Sequence, residues 1–217
     1  WREAFGLLDY LRDKDMMPSR RMYNFLLQGI ANKSIVGNEA IVLANILIDQ
    51  LSASGQPLDF FTYTAVLKLH LRIKDIRTAH FYLEKMKTEK IKLHTRVFND
   101  FIEYYADSRH VTDWKNSLKE SKALFDDMKS LGLFPDQFSY SSMVKIAAKC
   151  SDWEILDEVM TEAKENGVTL SVLAYSIVLN MCSKHKTKES VAAAWKYFNE
   201  MKENRLPMNV VVYTTRS

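Results

Sequence analysis

Small hydrogen-bonding side chains recur along this chain, each directly behind an aromatic ring: Tyr23-Asn24, Tyr63-Thr64, Phe98-Asn99, Tyr140-Ser141, Tyr175-Ser176 and Tyr213-Thr214. The pairs lie 40, 35, 42, 35 and 38 residues apart. A primary amide or a hydroxyl both donates and accepts, so a row of them can answer donors and acceptors on a polar ligand. The competing use is local: such a residue at a helix start helps to satisfy first-turn amides.

The other reactive side chains form no comparable pattern. Cys150 and Cys182 stand 32 apart, and neither belongs to a Cys-x-x-Cys pair. Cys182 and His185 give Cys-x-x-His, two ligands where a zinc site needs more, and nothing nearby completes the set. Both cysteines fall in first helices of the pattern described next, where a small buried packing role suits them, and two without a framework fit a reducing compartment. His80, His94 and His110 share no helical spacing with carboxylates that would suggest general-base work. No glycine-rich phosphate loop is present. Catalysis is therefore not expected within these residues, and no cofactor or metal is expected.

The elements that must carry the recurring pairs follow from the other offsets. Four residues after each of Ser19, Asp59, His94, Asp136, Ser171 and Asn209 comes an aromatic anchor. Eight residues before those lie Leu11, Leu51, Met86, Met128, Ala163 and Met201, and three further back Leu8, Ile48, Leu83, Phe125, Met160 and Phe198. Apolar residues so spaced mark one buried stripe on a helix. Gly55, Gly132 and Gly167 and all four prolines (Pro18, Pro57, Pro135, Pro207) fall at unit boundaries, as helix stops do. Each unit reads as two antiparallel helices, for example Phe60 to Arg72 and Arg77 to Lys87. The extra residues of the longer units are expected in the turns near 35–38, 109–116 and 185–188, where length change leaves helix faces unshifted.

Self-similarity at this period means stacked supersecondary units. Composition agrees: 47% hydrophobic, 26% charged, and only 6 glycines among 217 residues. No run approaches the roughly 18 apolar residues of a membrane span, so no membrane partner is expected. The pattern is interrupted at both ends, Trp1 lying inside a second helix and Tyr213-Thr214 opening a new unit, so the sequence reads as part of a longer one.

The Trp-Leu-Gly-Tyr arrangement of tetratricopeptide repeats does not recur. What recurs resembles the pentatricopeptide repeat (PPR) family, whose unit of 35 residues runs from an aromatic-Asn/Thr/Ser opening through a Leu/Phe-x-x-Met stripe to a Gly-x-x-Pro-Asp ending. Residues 122–136, followed by Phe138-Ser139-Tyr140-Ser141, match it best. The endings Leu93-His94, Leu170-Ser171 and Met208-Asn209 depart from it. The resemblance implies an all-α fold, a right-handed α-solenoid of stacked helix-turn-helix repeats. It divides the chain into an end at 1–19, units at 20–59, 60–94, 95–136, 137–171 and 172–209, and a start at 210–217.

The family's implied activity is sequence-selective binding of single-stranded RNA in a mitochondrion or plastid, one base per repeat. Carried over, the base-reading pairs are Asn24 with Asp59, Thr64 with His94, Asn99 with Asp136, Ser141 with Ser171, and Ser176 with Asn209. Asn with Asp resembles a uracil reader and Ser with Asn an adenine reader, giving U-?-U-?-A from 5′ to 3′. Two residues before each anchor, the family's base-stacking position holds Arg21, Phe61, Arg96, Phe138, Leu173 and Val211. Its phosphate position, nine after the anchor, holds Asn32, Arg72, Asp107, Lys149 and Lys184, of which Arg72, Lys149 and Lys184 conform.

Local readings stand beside these. The aromatic anchors and the Met/Leu stripe are expected in the core, and Asp59 and Asp136 also suit helix N-caps. Asp152, Glu154, Asp157 and Glu158 read as a solvated face. A formal charge of +3 is modest for a nucleic-acid binder, which keeps open an alternative role: a protein-binding architectural subunit of a large organellar assembly such as a ribosome or transcription complex.

Overall fold

The computed structural model of the chain describes residues 6, 10, 13, 14, 16–34, 38–107, 109, 111–185 and 187–207. It divides into two compact units, Trp1–Leu93 and His94–Ser217. The first contains α1 (Arg20–Gly29), a π-helical turn (Ile30–Ser34), α2 (Asn38–Ala53), α3 (Phe60–Arg72) and α4 (Ile76–Thr88). The second contains α5 (Thr95–Ala106), α6 (Trp114–Ser130), α7 (Gln137–Cys150), α8 (Trp153–Glu165), α9 (Val172–His185) and α10 (Lys188–Glu203). Every regular element among the described residues is helical.

Within each unit the helices pair in chain order. In the second, α5 packs on α6, α7 on α8 and α9 on α10, while α7 also lies against both α5 and α9. The odd-numbered helices therefore run side by side, and α6 fills the angle between α5 and α7. In the first unit α1 lies against α3 in the same way.

The anchors and the stripe make the core. Tyr23, Tyr63, Phe98, Tyr140 and Tyr175 are all buried, as are Leu51, Met86, Met128, Ala163 and Met201. Burying each large apolar side chain contributes about 1.5–3 kcal/mol, which is why the pattern repeats so strictly at these positions. Leu8, Leu11 and Tyr213 lie outside the described residues.

The extra residues of the longer units do not all sit in the turns. Helices α4 and α8 have 13 residues, whereas α2 and α10 have 16 and α6 has 17. Measured from the stripe residues Leu51, Met128 and Met201, the longer helices begin three or four residues earlier than α4 and α8 do. A helical turn is about 3.6 residues, so the added segment is one whole turn and the stripe keeps its facing. The α5–α6 connection, residues 107–113, takes up the remainder in its unit.

The acidic residues of α8 are more than a solvated face. Asp152 caps the helix by accepting from the Ile155 N–H. Asp157 pairs with Lys196 of α10, and Glu158 with Lys122 of α6 at 2.9 Å. Glu162 meets Lys129 of α6 at 3.2 Å, and Lys164 meets Glu200 of α10 at 3.7 Å. Lysine and carboxylate thus alternate across three second helices, each exposed pair contributing well under about 1 kcal/mol.

Candidate nucleic-acid interface

Helix α3 starts where Asp59 accepts from the Thr62 N–H, with the Thr62 hydroxyl returning to the Asp59 N–H: a reciprocal capping box. The same box opens α7, built from Asp136 and Ser139. The cap role anticipated for both aspartates is therefore real. It coexists with a second contact that the bare cap would not require.

Asn24 Nδ2 donates to Asp59 Oδ1 at 2.9 Å, and the Thr62 hydroxyl donates to Asn24 Oδ1 at 2.6 Å. In the second unit Asn99 Nδ2 donates to Asp136 Oδ1 and Oδ2 at 3.0 and 3.1 Å, and Ser139 Oγ donates to Asn99 Oδ1 at 2.6 Å. Both asparagines are only 7% exposed, so these bonds set which way each amide faces. Burial alone would raise the two aspartates. The Thr62 N–H, the Asn24 amide, the Thr62 hydroxyl and the Arg20 charge outweigh it for Asp59 and hold its carboxyl below the usual range. For Asp136 the Ser139 N–H, the Asn99 amide, the Ser139 hydroxyl and the Phe138 N–H do the same. Arg20 Nε stands 3.1 Å from Asp59 Oδ2.

Two open cavities collect residues from the reading and stacking positions. One, of about 640 Å³, is lined by Arg21, Asn24, Asp59 and Phe61, together with Phe25 and Gln28. The other, of about 350 Å³, lies among α5, α7 and α9 and is lined by Phe138, Ser141, Ser171 and Leu173, with Glu103 and Lys145. Phe61 is 56% exposed, Phe138 47% and Leu173 69%. Apolar side chains so displayed on a helix face have no role in the core. Arg96 is likewise exposed on α5.

The remaining positions are used differently. Ser141 Oγ is buried with no hydrogen-bond partner among the described residues. Ser171 Oγ accepts from the Ala174 N–H at 3.3 Å, Ser176 Oγ donates to the Val172 carbonyl at 2.8 Å, and Thr64 Oγ1 donates to the Phe61 carbonyl at 3.1 Å. His94 is the N-cap residue of α5 without a capping side-chain bond; it and Thr64 belong to different units. Asn209 and Val211 lie outside the described residues. Among the cations, Arg72 Nη1 donates to the Ala31 carbonyl at 2.9 Å. Lys149 Nζ sits over the Trp114 ring, 5.7 Å from its centre, and Lys184 is exposed in the last turn of α9.

Sequence reasoning passed over Thr62, Ser139 and Arg20. The signal was available: a hydroxyl residue stands three after Asp59 and three after Asp136, the spacing of a capping box. Cys182 is buried and its thiol pushed up to about 11, while Cys150 donates to the Trp114 carbonyl, consistent with packing roles. His185 Nε2 lies 3.1 Å from Ser151 Oγ, and among the described residues no group of three or more potential metal ligands gathers.

Comparison with known proteins places these hairpins. A family model described as the pentacotripeptide-repeat region of PRORP matches residues 56–167. The mitochondrial 15S rRNA processing factor ppr3 of Schizosaccharomyces japonicus is 27% identical over 205 residues, which cover 92% of this chain and 28% of that protein. The chain spans about a quarter of the length of the curated relatives it matches. Among solved structures, PPR10 from maize superposes with a TM-score of 0.64 at 21% identity, over 99% of this chain and 28% of that one. The PPR domain of Arabidopsis thaliana protein-only RNase P 1, in complex with tRNA, gives 0.68 at 14% identity, over 82% and 88%. At these identities the structural likeness is one of fold, a helical-repeat solenoid. Since the family model spans just over half of the 217 residues, the chain belongs to the pentatricopeptide-repeat family.

Proposed function

We propose that this chain binds single-stranded RNA with base selectivity, one base per repeat, in organellar RNA metabolism, with repeats at 20–59, 60–94, 95–136, 137–171 and 172–209. The observation that carries this reading is the company kept in one cavity. Asn24 and Asp59, the expected reading pair, share its walls with Arg21 and Phe61, the expected stacking pair. A base entering there would meet an amide edge-on, with a guanidinium and an aromatic ring available for its faces. The second cavity repeats the combination with Ser141, Ser171, Phe138 and Leu173.

Further support comes from what related proteins are described as doing. The Schizosaccharomyces protein is named for ribosomal RNA processing, PPR10 has been solved with an 18-nt psaJ RNA element, and the RNase P domain with tRNA. The mitochondrial name of the yeast relative favours a mitochondrion as the compartment. No helix among the described residues is long and apolar enough to cross a membrane. The chain's part is binding and positioning of RNA, with bond making or breaking assigned to none of its residues.

Oligonucleotides U-N-U-N-A, with mixed bases at N, and the same RNA with A and U exchanged provide the test. Tighter binding of the first across a salt series supports the reading. Equal, weak binding of both would return the chain to the architectural role, in which the repeats grip protein.

A further inference from the structure

We infer that Thr62 and Ser139 are specificity-setting positioning residues: each fixes, from the following repeat, the amide orientation of the base-reading asparagine before it. The inference rests on the RNA-reading proposal and goes beyond it by naming a third side chain for each uracil-type position.

The chemistry is constrained at every atom. An ionised carboxylate only accepts, so Asp59 and Asp136 take an N–H from Asn24 and Asn99. Each amide oxygen then faces the hydroxyl of Thr62 or Ser139 at 2.6 Å. That hydroxyl has one proton and two lone pairs. It accepts from the backbone N–H of the capping aspartate, and its proton goes to the nearer oxygen, that of the asparagine, with Asp59 and Asp136 Oδ1 farther off at 3.0 Å. Thr62 and Ser139 are fully buried, so water does not substitute for them at rest. Each asparagine is left with an N–H to offer, while its oxygen is largely taken. Such an edge suits the O4 acceptor of uracil and disfavours the N4 amino donor of cytosine.

A natural contrast lies in the same unit. The residue corresponding to Thr62 and Ser139 at the start of α9 is Ala174, which has no hydroxyl, and Ser141, the reading residue it follows, keeps an unpartnered buried Oγ. At this position the missing latch leaves the reading hydroxyl without a partner among the described residues.

Binding of U-N-U-N-A, C-N-U-N-A and U-N-C-N-A to the full chain tests this. Thr62→Val lowers the preference for U over C at the first base by about three- to tenfold, the worth of one hydrogen bond, and leaves the third unchanged; Ser139→Ala does the reverse. Thr62→Ser restores the first-base preference. Ser190→Ala removes an equivalent capping-box hydroxyl from α10 and controls for stability: it lowers the melting temperature and leaves both ratios alone. Native discrimination that survives Thr62→Val and Ser139→Ala overturns the inference alone, as does an equal loss in Ser190→Ala. Failure of the native chain to bind any of the three RNAs overturns the RNA reading and the inference with it.

Discussion

Tyr140 Oη donates to Glu162 Oε1 at 3.2 Å and accepts from Asn166 Nδ2 at 2.9 Å, so the ring that anchors α7 is tied to the far end of α8. The clasp recurs where Tyr63 Oη donates to Glu89 Oε2 at 2.6 Å at the end of α4, and where Asn204 Nδ2 donates to Tyr175 Oη at 3.3 Å after α10. A phenylalanine anchor, such as Phe98, supplies the apolar bulk without the clasp. Tyrosine therefore does two jobs in a hairpin: its ring fills the joint, and its hydroxyl fixes how the two helices end relative to each other.

Removing the hydroxyl by Tyr140→Phe leaves the ring packed and the Glu162 carboxylate still held by Lys129. The expected cost is about 1 kcal/mol, the net value of a partly buried hydrogen bond. Burial, opposed by the Asn166 bond and reinforced by the Glu162 charge, pushes the Tyr140 phenol up to about 12. The folded chain thus keeps a proton that the unfolded chain releases near pH 10. Stability from this group is complete below pH 10 and is lost as pH rises towards 12. Chemical denaturation across that window should show native stability falling towards that of Tyr140→Phe; parallel curves would refute the clasp.

The hairpin ends offer a second prediction. Gly55, Gly132 and Gly167 close α2, α6 and α8 with φ of 70°, 71° and 69°, and at the ends of α4 and α10 the same geometry falls to Lys90 and Arg205, at 55° and 52°. A side chain in that left-handed region costs roughly 1–2 kcal/mol, partly offset because glycine is freer in the unfolded chain. Lys90→Gly should therefore stabilise the fold by up to about 1 kcal/mol. Gly132→Ala, where a Cβ would meet nothing within 4 Å, should destabilise it by a similar amount through the backbone alone. An unchanged denaturation midpoint for both variants would contradict this account.

These particulars show how far the sequence could be read. The anchors, the stripe and the glycine stops were legible because each answers to one local demand: bulk at the joint, one apolar face, a left-handed turn. Lys90 and Arg205 were not, since no side-chain property marks a lysine or arginine forced into a turn by neighbouring helices. The placement of inserted residues was half legible. Spacing revealed their number, but whether they extend a helix or a turn depends on whether the count fills a whole helical turn, as in α10. At the candidate site, the resemblance to the repeat family paired Asn24 with Asp59, and the two side chains do meet at 2.9 Å. Spacing from Asp59 marks Thr62 as a capping-box hydroxyl, but its bond to Asn24 arises only when two repeats stack.

The capping aspartates carry an acid-side prediction. Asp59 and Asp136 are held below the ordinary carboxylate value by their hydrogen bonds despite burial. Their stabilising contribution is present above pH 3.8, the unfolded value, and is lost as pH falls through the folded one. Asp136→Asn keeps a capping oxygen and removes the titration. Its melting temperature should be lower than the native one at neutral pH and converge with it as pH falls through the lowered folded value. A constant gap between the two across that range would mean that the carboxylate charge contributes nothing.

If the chain binds RNA as proposed, Arg72, Lys149 and Lys184 should set the salt dependence of that binding. Arg72 spends one N–H on the Ala31 carbonyl, yet a guanidinium keeps further donors, and Lys149 and Lys184 are exposed at the ends of α7 and α9. Three phosphate contacts release about 0.7 counterions each from a single strand, so log affinity against log salt should slope near −2. Lys149→Ala and Lys184→Ala should each flatten that slope by about 0.7 and weaken U-N-U-N-A and its cytosine variants alike, because phosphate contacts carry no base information. Arg72→Ala should in addition lower stability, since the Ala31 carbonyl loses its partner. A slope that stays near −2 in both lysine variants would exclude these residues from the backbone path and move the electrostatic contact to another face of the helices.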